Sequence, residues 1–132
     1  MKNNKRLPAG RQGQALVALL VFMVVAITMT TMAVALVIIN ASAASQVEQG
    51  DMALKLAQSG ADNALLRLIR NPNYTGTETL TIDTGQVTAT VSAGNPIIIM
   101  SQGRQGGFVR TASVSASFVE TVLTINSWRE VF

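Results

Sequence analysis

The side chains that most often do chemistry in proteins are scarce in this sequence. Histidine and cysteine are both absent from its 132 residues, which argues against nucleophilic triads and most zinc sites. Carboxylate catalysis usually pairs two acids in one site. Here the acids of the C-terminal half are isolated from one another in sequence, at Glu78, Asp83, Glu120 and Glu130. We therefore predict no enzyme activity, no cofactor and no metal.

One glycine-rich segment, from Gly103 to Gly107, contains a basic residue, Arg104. A phosphate-binding loop of the P-loop type ends in lysine and lies between a strand and a helix, and this segment has neither feature. It is interpreted as a surface connection. The alternative is that Arg104 and Arg110 contact nucleic acid or another anionic surface.

The positive charge of the chain is concentrated at its N-terminus. The formal net charge is +3, and four of the ten basic residues are Lys2, Lys5, Arg6 and Arg11. From Gln14 onward, six basic residues face seven acidic ones, so this part carries a formal charge of −1. Nucleic acid is therefore not favoured as a partner of the C-terminal part.

A long uncharged segment follows this basic leader. The 25 residues from Ala15 to Ile39 contain no charge and are long enough, as a helix, to cross a hydrocarbon core of roughly 30 Å. The next basic residue is Lys55, so the positive-inside rule places the N-terminus in the cytoplasm and the rest outside. We predict a leader at residues 1–13 and a transmembrane helix at 14–39, hence a single-pass protein of the inner membrane whose partner is the lipid bilayer.

The helical pattern does not stop at the membrane surface, because no proline occurs between the span and Pro72. We predict an amphipathic stalk helix at residues 40–71 that continues the transmembrane helix. One face of the stalk is apolar and made largely of small residues, which let another surface approach closely. This packing face is predicted to consist of Val47, Leu54, Ala57, Gly60, Ala61, Leu65 and Leu68.

After Pro72 the apolar period changes from that of a helix to that of a strand. A hairpin is predicted from Leu80 to Ala93 with its turn at Thr84-Gly85, followed by a third strand at Ile97 to Ser101 and a loop at Gln102 to Gly107. Further strands follow Phe108, with a last turn near Phe118 to Thr121. The predicted fold is α+β: a long N-terminal helix packed on an antiparallel β-sheet head at residues 72–132.

Gly13 directly precedes the run Gln14-Ala15-Leu16-Val17-Ala18-Leu19-Leu20. With the basic leader, the long helix and the helix-then-sheet order, the chain resembles type IV pilins and type II secretion pseudopilins, and within them the PilX-type minor pilins. The resemblance implies that a prepilin peptidase cuts after Gly13 and that the new N-terminus, Gln14, is methylated. It also implies other pilin subunits and an inner-membrane assembly platform as partners, and a place in a cell-surface filament.

Family members usually have glutamate at the fifth mature position, where this chain has Ala18. That departure favours a minor subunit over a major one. Gly10 is a second candidate cut site, but cleavage there would leave Arg11 and Gln12 in a segment that should be apolar.

A different class of function remains open: an uncleaved, signal-anchored envelope protein whose small β-sheet head binds a partner. In the filament interpretation, Arg104 and Arg110 are candidate contacts at the filament tip. Trp128 is either another tip contact or a residue that closes the edge of a small core.

Overall fold

In the computed structural model, which describes residues 9–132, one helix is followed by five strands. The helix α1 spans Ala9–Arg70, and the strands are β1 (Gly76–Ile82), β2 (Gly85–Ser92), β3 (Ile97–Gln105), β4 (Phe108–Val119) and β5 (Val122–Val131). The α+β prediction of a long N-terminal helix on an antiparallel sheet is confirmed. The chain divides after Ala43 into two compact units, and we call the second, Ala44–Phe132, the globular unit.

Helix α1 ends where the sequence predicts a break. Arg70 is its last residue, and Asn71 is the residue before Pro72, a position at which the helical conformation is disfavoured. The amide of Asn71 still donates to the carbonyl oxygen of Arg67 at 2.8 Å. Arg67 and Arg70 place positive charge in the last turn, where it stabilises the negative end of the helix dipole.

The sheet is a meander in which every strand pairs antiparallel with its neighbour in sequence, in the order β1-β2-β3-β4-β5. The first turn consists of Asp83 and Thr84, one residue earlier than the predicted Thr84-Gly85, because Gly85 already pairs with Ile82. The last turn consists of Glu120 and Thr121 and lies within the predicted range. A register shift between β4 and β5 occurs at Ser115/Ala116.

The loop predicted at Gln102 to Gly107 is wrong. β3 continues to Gln105, and only Gly106 and Gly107 form the turn. Glycine weakens an isolated strand, but Gly103 is held on both sides, by pairing with Val87 of β2 and with Arg110 of β4. Neighbouring strands thus override the weak local preference.

The core of the globular unit lies between α1 and strands β2 to β4. The helix contributes mostly alanine, and the sheet contributes alternate residues of each strand. Large side chains fill the part near the end of the helix, where Leu65 and Leu68 meet Ile97 and Ile99. Toward Gly50 the facing residues become smaller, so the helix and sheet backbones approach closely at Gly103, where an added Cβ would lie 2.5 Å from the amide nitrogen of Ala57. We call these the Arg70 end and the Gly50 end of the globular unit.

Candidate functional site

The apolar segment of α1 presents its side chains outward. All residues from Leu16 to Ile39 are exposed, and the large hydrophobic side chains among them are between 43% and 71% accessible. The three threonines in this stretch satisfy their hydroxyls within the helix: Thr28, Thr30 and Thr31 each donate to a backbone carbonyl oxygen three or four residues earlier at 2.8 Å. A helix with bonded hydroxyls and apolar side chains on its surface suits a lipid environment. It is long and apolar enough to cross a membrane and fits a single-pass anchor.

The predicted cleavage site lies near the beginning of this helix. Gly13 and Gln14 are helical, Gln14 is exposed, and nothing lies within 4 Å of where a Cβ of Gly13 would be. Gly10 and Gly13 each destabilise a helix by about 1 kcal/mol relative to alanine, so the first turns are the easiest part of α1 to unwind. Residues 1–8 of the predicted leader lie outside the described residues.

Ala18 lies one turn further along α1 and is exposed. Its methyl group can neither accept a hydrogen bond nor carry charge. The fifth residue after Gly13 is therefore an alanine, which has no carboxylate.

The predicted packing face mostly lies against the sheet. Five of its members are buried, Leu54 is half-buried, and Val47 is 67% exposed and lies outside the contact. The buried members are Ala57, Gly60, Ala61, Leu65 and Leu68. The sequence interpretation missed Gly50, which is buried and close to Arg110: an added Cβ would lie 3.8 Å from the guanidinium Nη2.

Arg104 and Arg110 do not form a common site. Arg104 pairs with Val109 and Arg110 pairs with Gly103, so the two arginines occupy adjacent positions in the ladder and project from opposite faces of the sheet. Arg104 is exposed and donates to Gln102 Oε1 from Nε at 3.2 Å and from Nη2 at 3.1 Å. Both lie at the Gly50 end.

Arg110 is held in place by its neighbours. Its Nη1 lies 3.1 Å from Glu130 Oε1, and its Cζ lies 5.5 Å from the centre of the Phe132 ring. The half-buried guanidinium thus contacts both an acidic side chain and an aromatic ring, and these contacts link β4 to the end of β5. The contact of Arg110 with a partner at a filament tip stays a prediction.

The Arg70 end contains a shallow cavity of about 370 Å³, lined by Asn63, Leu66, Arg67, Arg70, Asn71 and Tyr74. Arg67 donates from Nη2 to Glu78 Oε1 at 2.5 Å, and its Cζ lies 5.7 Å from the centre of the Tyr74 ring. These contacts tie the end of α1 to β1 and to the connecting segment. The contacts of Arg67 with Glu78 and Tyr74 therefore give it a structural role in the globular unit.

Trp128 lies on β5 opposite Val114 of β4 and is 39% exposed. Because Val114 is buried under α1, Trp128 faces the helix side of the sheet. The partly buried hydrophobic residues that pack against the core cluster are Tyr74, Phe118 and Leu123, whereas Trp128 belongs to the exposed large hydrophobic residues.

No family model, curated protein or solved structure matches this chain. In residues 9–132, no group of three or more acidic side chains is placed to hold a metal ion. The observations above support a membrane-anchored protein: an apolar N-terminal helix carrying a small β-sheet head.

Proposed function

We propose that this chain is a type IV pilin-like subunit, processed after Gly13 and assembled through its N-terminal helix into a pilus-like or secretion pseudopilus filament. The observation that carries the proposal is the helix itself. A single α1, Ala9–Arg70, begins before the apolar run and ends under the sheet, whereas a simple anchor needs only about 20 helical residues.

The chemistry of the two parts of α1 supports this proposal. Beyond the span, the helix packs on its own sheet through a face of small residues. Within the span, the exposed apolar surface needs either lipid or other apolar helices around it. A subunit built in this way is stored in the membrane and later packs by its apolar segment against the same segments of neighbouring subunits.

Transfer from lipid to a bundle of helices exchanges one apolar environment for another. Close packing and paired charges therefore stabilise such a bundle more than hydrophobic burial does. The resemblance to pilins further implies an assembly platform in the inner membrane and an energy source for extracting the subunit.

Processing at the Gly13–Gln14 bond is tested by co-expressing the full-length chain with a prepilin peptidase. We expect intact-mass spectrometry to show loss of the first thirteen residues and a new N-terminus at Gln14, with methylation of its amine. Gly13→Val should block the cut, and Gly10→Val is the matched control that should leave it unchanged. An unshortened wild-type chain would contradict the pilin proposal.

The second candidate is an uncleaved anchor with a binding head, and the observation that favours it is Ala18, which departs from the acid usual in pilins. The same experiment separates the two functions. A full-length protein that stays in the membrane fraction supports the anchor, whereas a processed protein recovered in sheared surface filaments supports the pilin.

A further inference from the structure

We propose that this chain has a second processing site, the Ala43–Ala44 bond, at which an endopeptidase of the signal-peptidase type releases the globular unit from its anchor. In this reaction water cleaves the amide bond. The carbonyl carbon of Ala43 gains the oxygen and becomes a carboxylate, and Ala44 keeps its nitrogen as a new terminal amine. This inference does not rest on cleavage at Gly13, because a cut beyond the span needs only the anchor and its orientation.

The residues before this bond match what such an enzyme recognises. A cleaved signal consists of a basic segment, an apolar segment and a site of the A-x-A type, with small side chains at the third and the first residue before the bond. Here the basic leader and the apolar run are followed by Asn40 and then by Ala41-Ser42-Ala43. Ser42 and Ala44 repeat the spacing one residue later, so a cut after Ala44 is the neighbouring register.

The position of the bond relative to the membrane suits an enzyme at the outer surface. As a helix, the run from Ala15 to Ile39 is about 37 Å long and exceeds a hydrocarbon core of roughly 30 Å. Ala43 lies about 6 Å further along the helix axis, so it reaches the outer surface when the leader stays in the cytoplasm. The same spacing at Ala33 and Ala35 lies within the apolar run, where no water is available for hydrolysis.

The segment around the bond is accessible. From Gln14 onward every residue up to Glu48 is exposed, and the first buried residue is Gly50. No charged residue lies between Arg11 and Glu48, so no ion pair along the helix holds this segment. Local opening of α1 at the bond would therefore break helical hydrogen bonds and uncover no part of the core.

The bond coincides with a boundary in the structure. The chain divides between Ala43 and Ala44 into its two compact units. The buried hydrophobic side chains of α1 begin at Ala53, so a product that starts at Ala44 keeps all of them. A cut at this bond would release a unit with a complete core.

The residues after the bond form a start signal for a helix. Ser45-Gln46-Val47-Glu48 matches the capping box, in which the serine hydroxyl and the glutamate side chain each accept a hydrogen bond from an otherwise unpaired amide of the first turn. In the intact chain this sequence lies inside α1, where the amides are already bonded along the helix. The first turn of α1 itself contains no acid. The sequence is thus suited to a helix that begins at Ser45, directly after the cut.

The length of the apolar run limits how complete the cut is. Its 25 residues exceed the 7–15 typical of a cleaved signal, and a run of this length also holds the uncut chain in the membrane. We therefore expect two coexisting forms, an anchored chain and a released globular unit.

The test expresses the full-length chain with a C-terminal affinity tag in a bacterial host that lacks prepilin peptidase, so that the Gly13–Gln14 bond stays uncut. Tagged protein is collected from the membrane and from the soluble fraction outside it, and its intact mass is measured. We expect part of the protein as a soluble product that begins at Ala44, or at Ser45 in the neighbouring register. Absence of both products would overturn the inference and leave the pilin proposal unaffected, because that proposal depends on a different peptidase.

Substitutions at the two small positions test recognition. Leucine keeps the helix propensity of alanine nearly unchanged but is too large for a site that fits a methyl group. Ala41→Leu and Ala43→Leu should each lower the product that begins at Ala44 by about tenfold or more. The double variant Ala43→Leu/Ala44→Leu closes both registers and should give neither product.

Two variants serve as matched controls. Ala43→Ser keeps a small side chain before the bond and should still be cut. Gln46→Leu adds apolar bulk at an exposed position of the same helix, outside both registers, and should be cut like the wild type. A soluble product that persists at the wild-type level in Ala43→Leu/Ala44→Leu would show general proteolysis of an opened helix and would overturn the proposal.

Discussion

Gly103 shows how one small residue sets the distance between the helix and the sheet. A Cβ at this position would lie 2.5 Å from the Ala57 amide nitrogen and 2.9 Å from Leu56 Cβ. Contacts under 3.0 Å force something to shift, and here the obstacle is helix backbone rather than the flexible end of a side chain. The absence of a side chain at Gly103 is therefore a condition of the packing at the Gly50 end.

We predict that Gly103→Ala destabilises the globular unit by about 1–3 kcal/mol, the usual cost of overpacking. Gly107→Ala is the matched control, because nothing lies within 4 Å of its added Cβ, and it should change the free energy of unfolding by less than about 0.5 kcal/mol. Thermal unfolding in detergent, followed by the fluorescence of the single tryptophan, Trp128, measures both. Equal melting of the two variants would mean that helix and sheet are further apart than described.

Ser101 precedes Gly103 on the same face of β3 and is the second position at which the helix and the sheet pack closely. It is fully buried, and its Oγ has no hydrogen-bond partner in the described part of the chain. A buried hydroxyl without a partner costs about 1–3 kcal/mol. A small side chain is nevertheless needed here, because an added Cβ at Gly60 of α1 would collide with Ser101 and Val87.

The sequence could not reveal these roles. Ile97, Ile99, Ser101 and Gly103 share one face of β3, but the apolar alternation fades after Ile99, so Gln102 to Gly107 resembled a loop. The missed signal is that small residues on the strand face small residues on the helix. That match appears only when the register of α1 against β3 is known.

At the scale of elements, α1 contacts the sheet mainly through alanine and glycine. Such a face contributes little apolar area for each residue but permits close contact with β3 at Ser101 and Gly103. The sequence predicted most of this face correctly, because the period of a helix is explicit in the spacing of its apolar residues. Val47 was misplaced because periodicity gives the direction of a side chain but not where the covering sheet ends.

Ala61 tests this packing directly. It is fully buried against the sheet, so Ala61→Arg would place an uncompensated charge in the core and should cost several kcal/mol of unfolding free energy. Gln58→Arg, on the exposed side of the same helix, is the control and should be nearly neutral. If Ala61→Arg melts like wild type, this face of the helix is open to solvent and the described packing is wrong.

At the scale of the whole molecule, charge and hydrophobicity divide the chain between two environments. The long helix, the switch to strands and the α+β class were predictable, because each follows from a strong period or a long uncharged run. The extent of β3 and the tight fit at its end were not, because they depend on contacts between elements far apart in sequence.

The orientation in the membrane is predicted from the leader. Four basic residues precede the apolar run, and the positive-inside rule keeps them in the cytoplasm. Replacing Lys2, Lys5, Arg6 and Arg11 by glutamine should therefore leave part of the protein inverted. Protease added to spheroplasts should digest the globular unit of the wild type but spare a fraction of the variant. Arg104→Gln, far from the span, is the control, and full digestion of the leader variant would contradict the prediction.

The last prediction concerns abundance and follows from Ala18. In a filament of the proposed pilin-like kind, the acid at the fifth position of an incoming subunit would pair with the N-terminal amine of the subunit already above it. An unpaired charge in an apolar environment is costly, so a subunit with Ala18 can occupy a first position that has no amine above it. Its own Gln14 amine still attracts the acid of the next subunit.

We expect few copies in purified filaments by quantitative mass spectrometry, loss of filament initiation on deletion, and little gain from Ala18→Glu. Cyclisation of Gln14 would remove the amine and would be visible in the same spectra. Filaments whose shaft consists mainly of this chain would contradict the minor role and leave the fold unaffected.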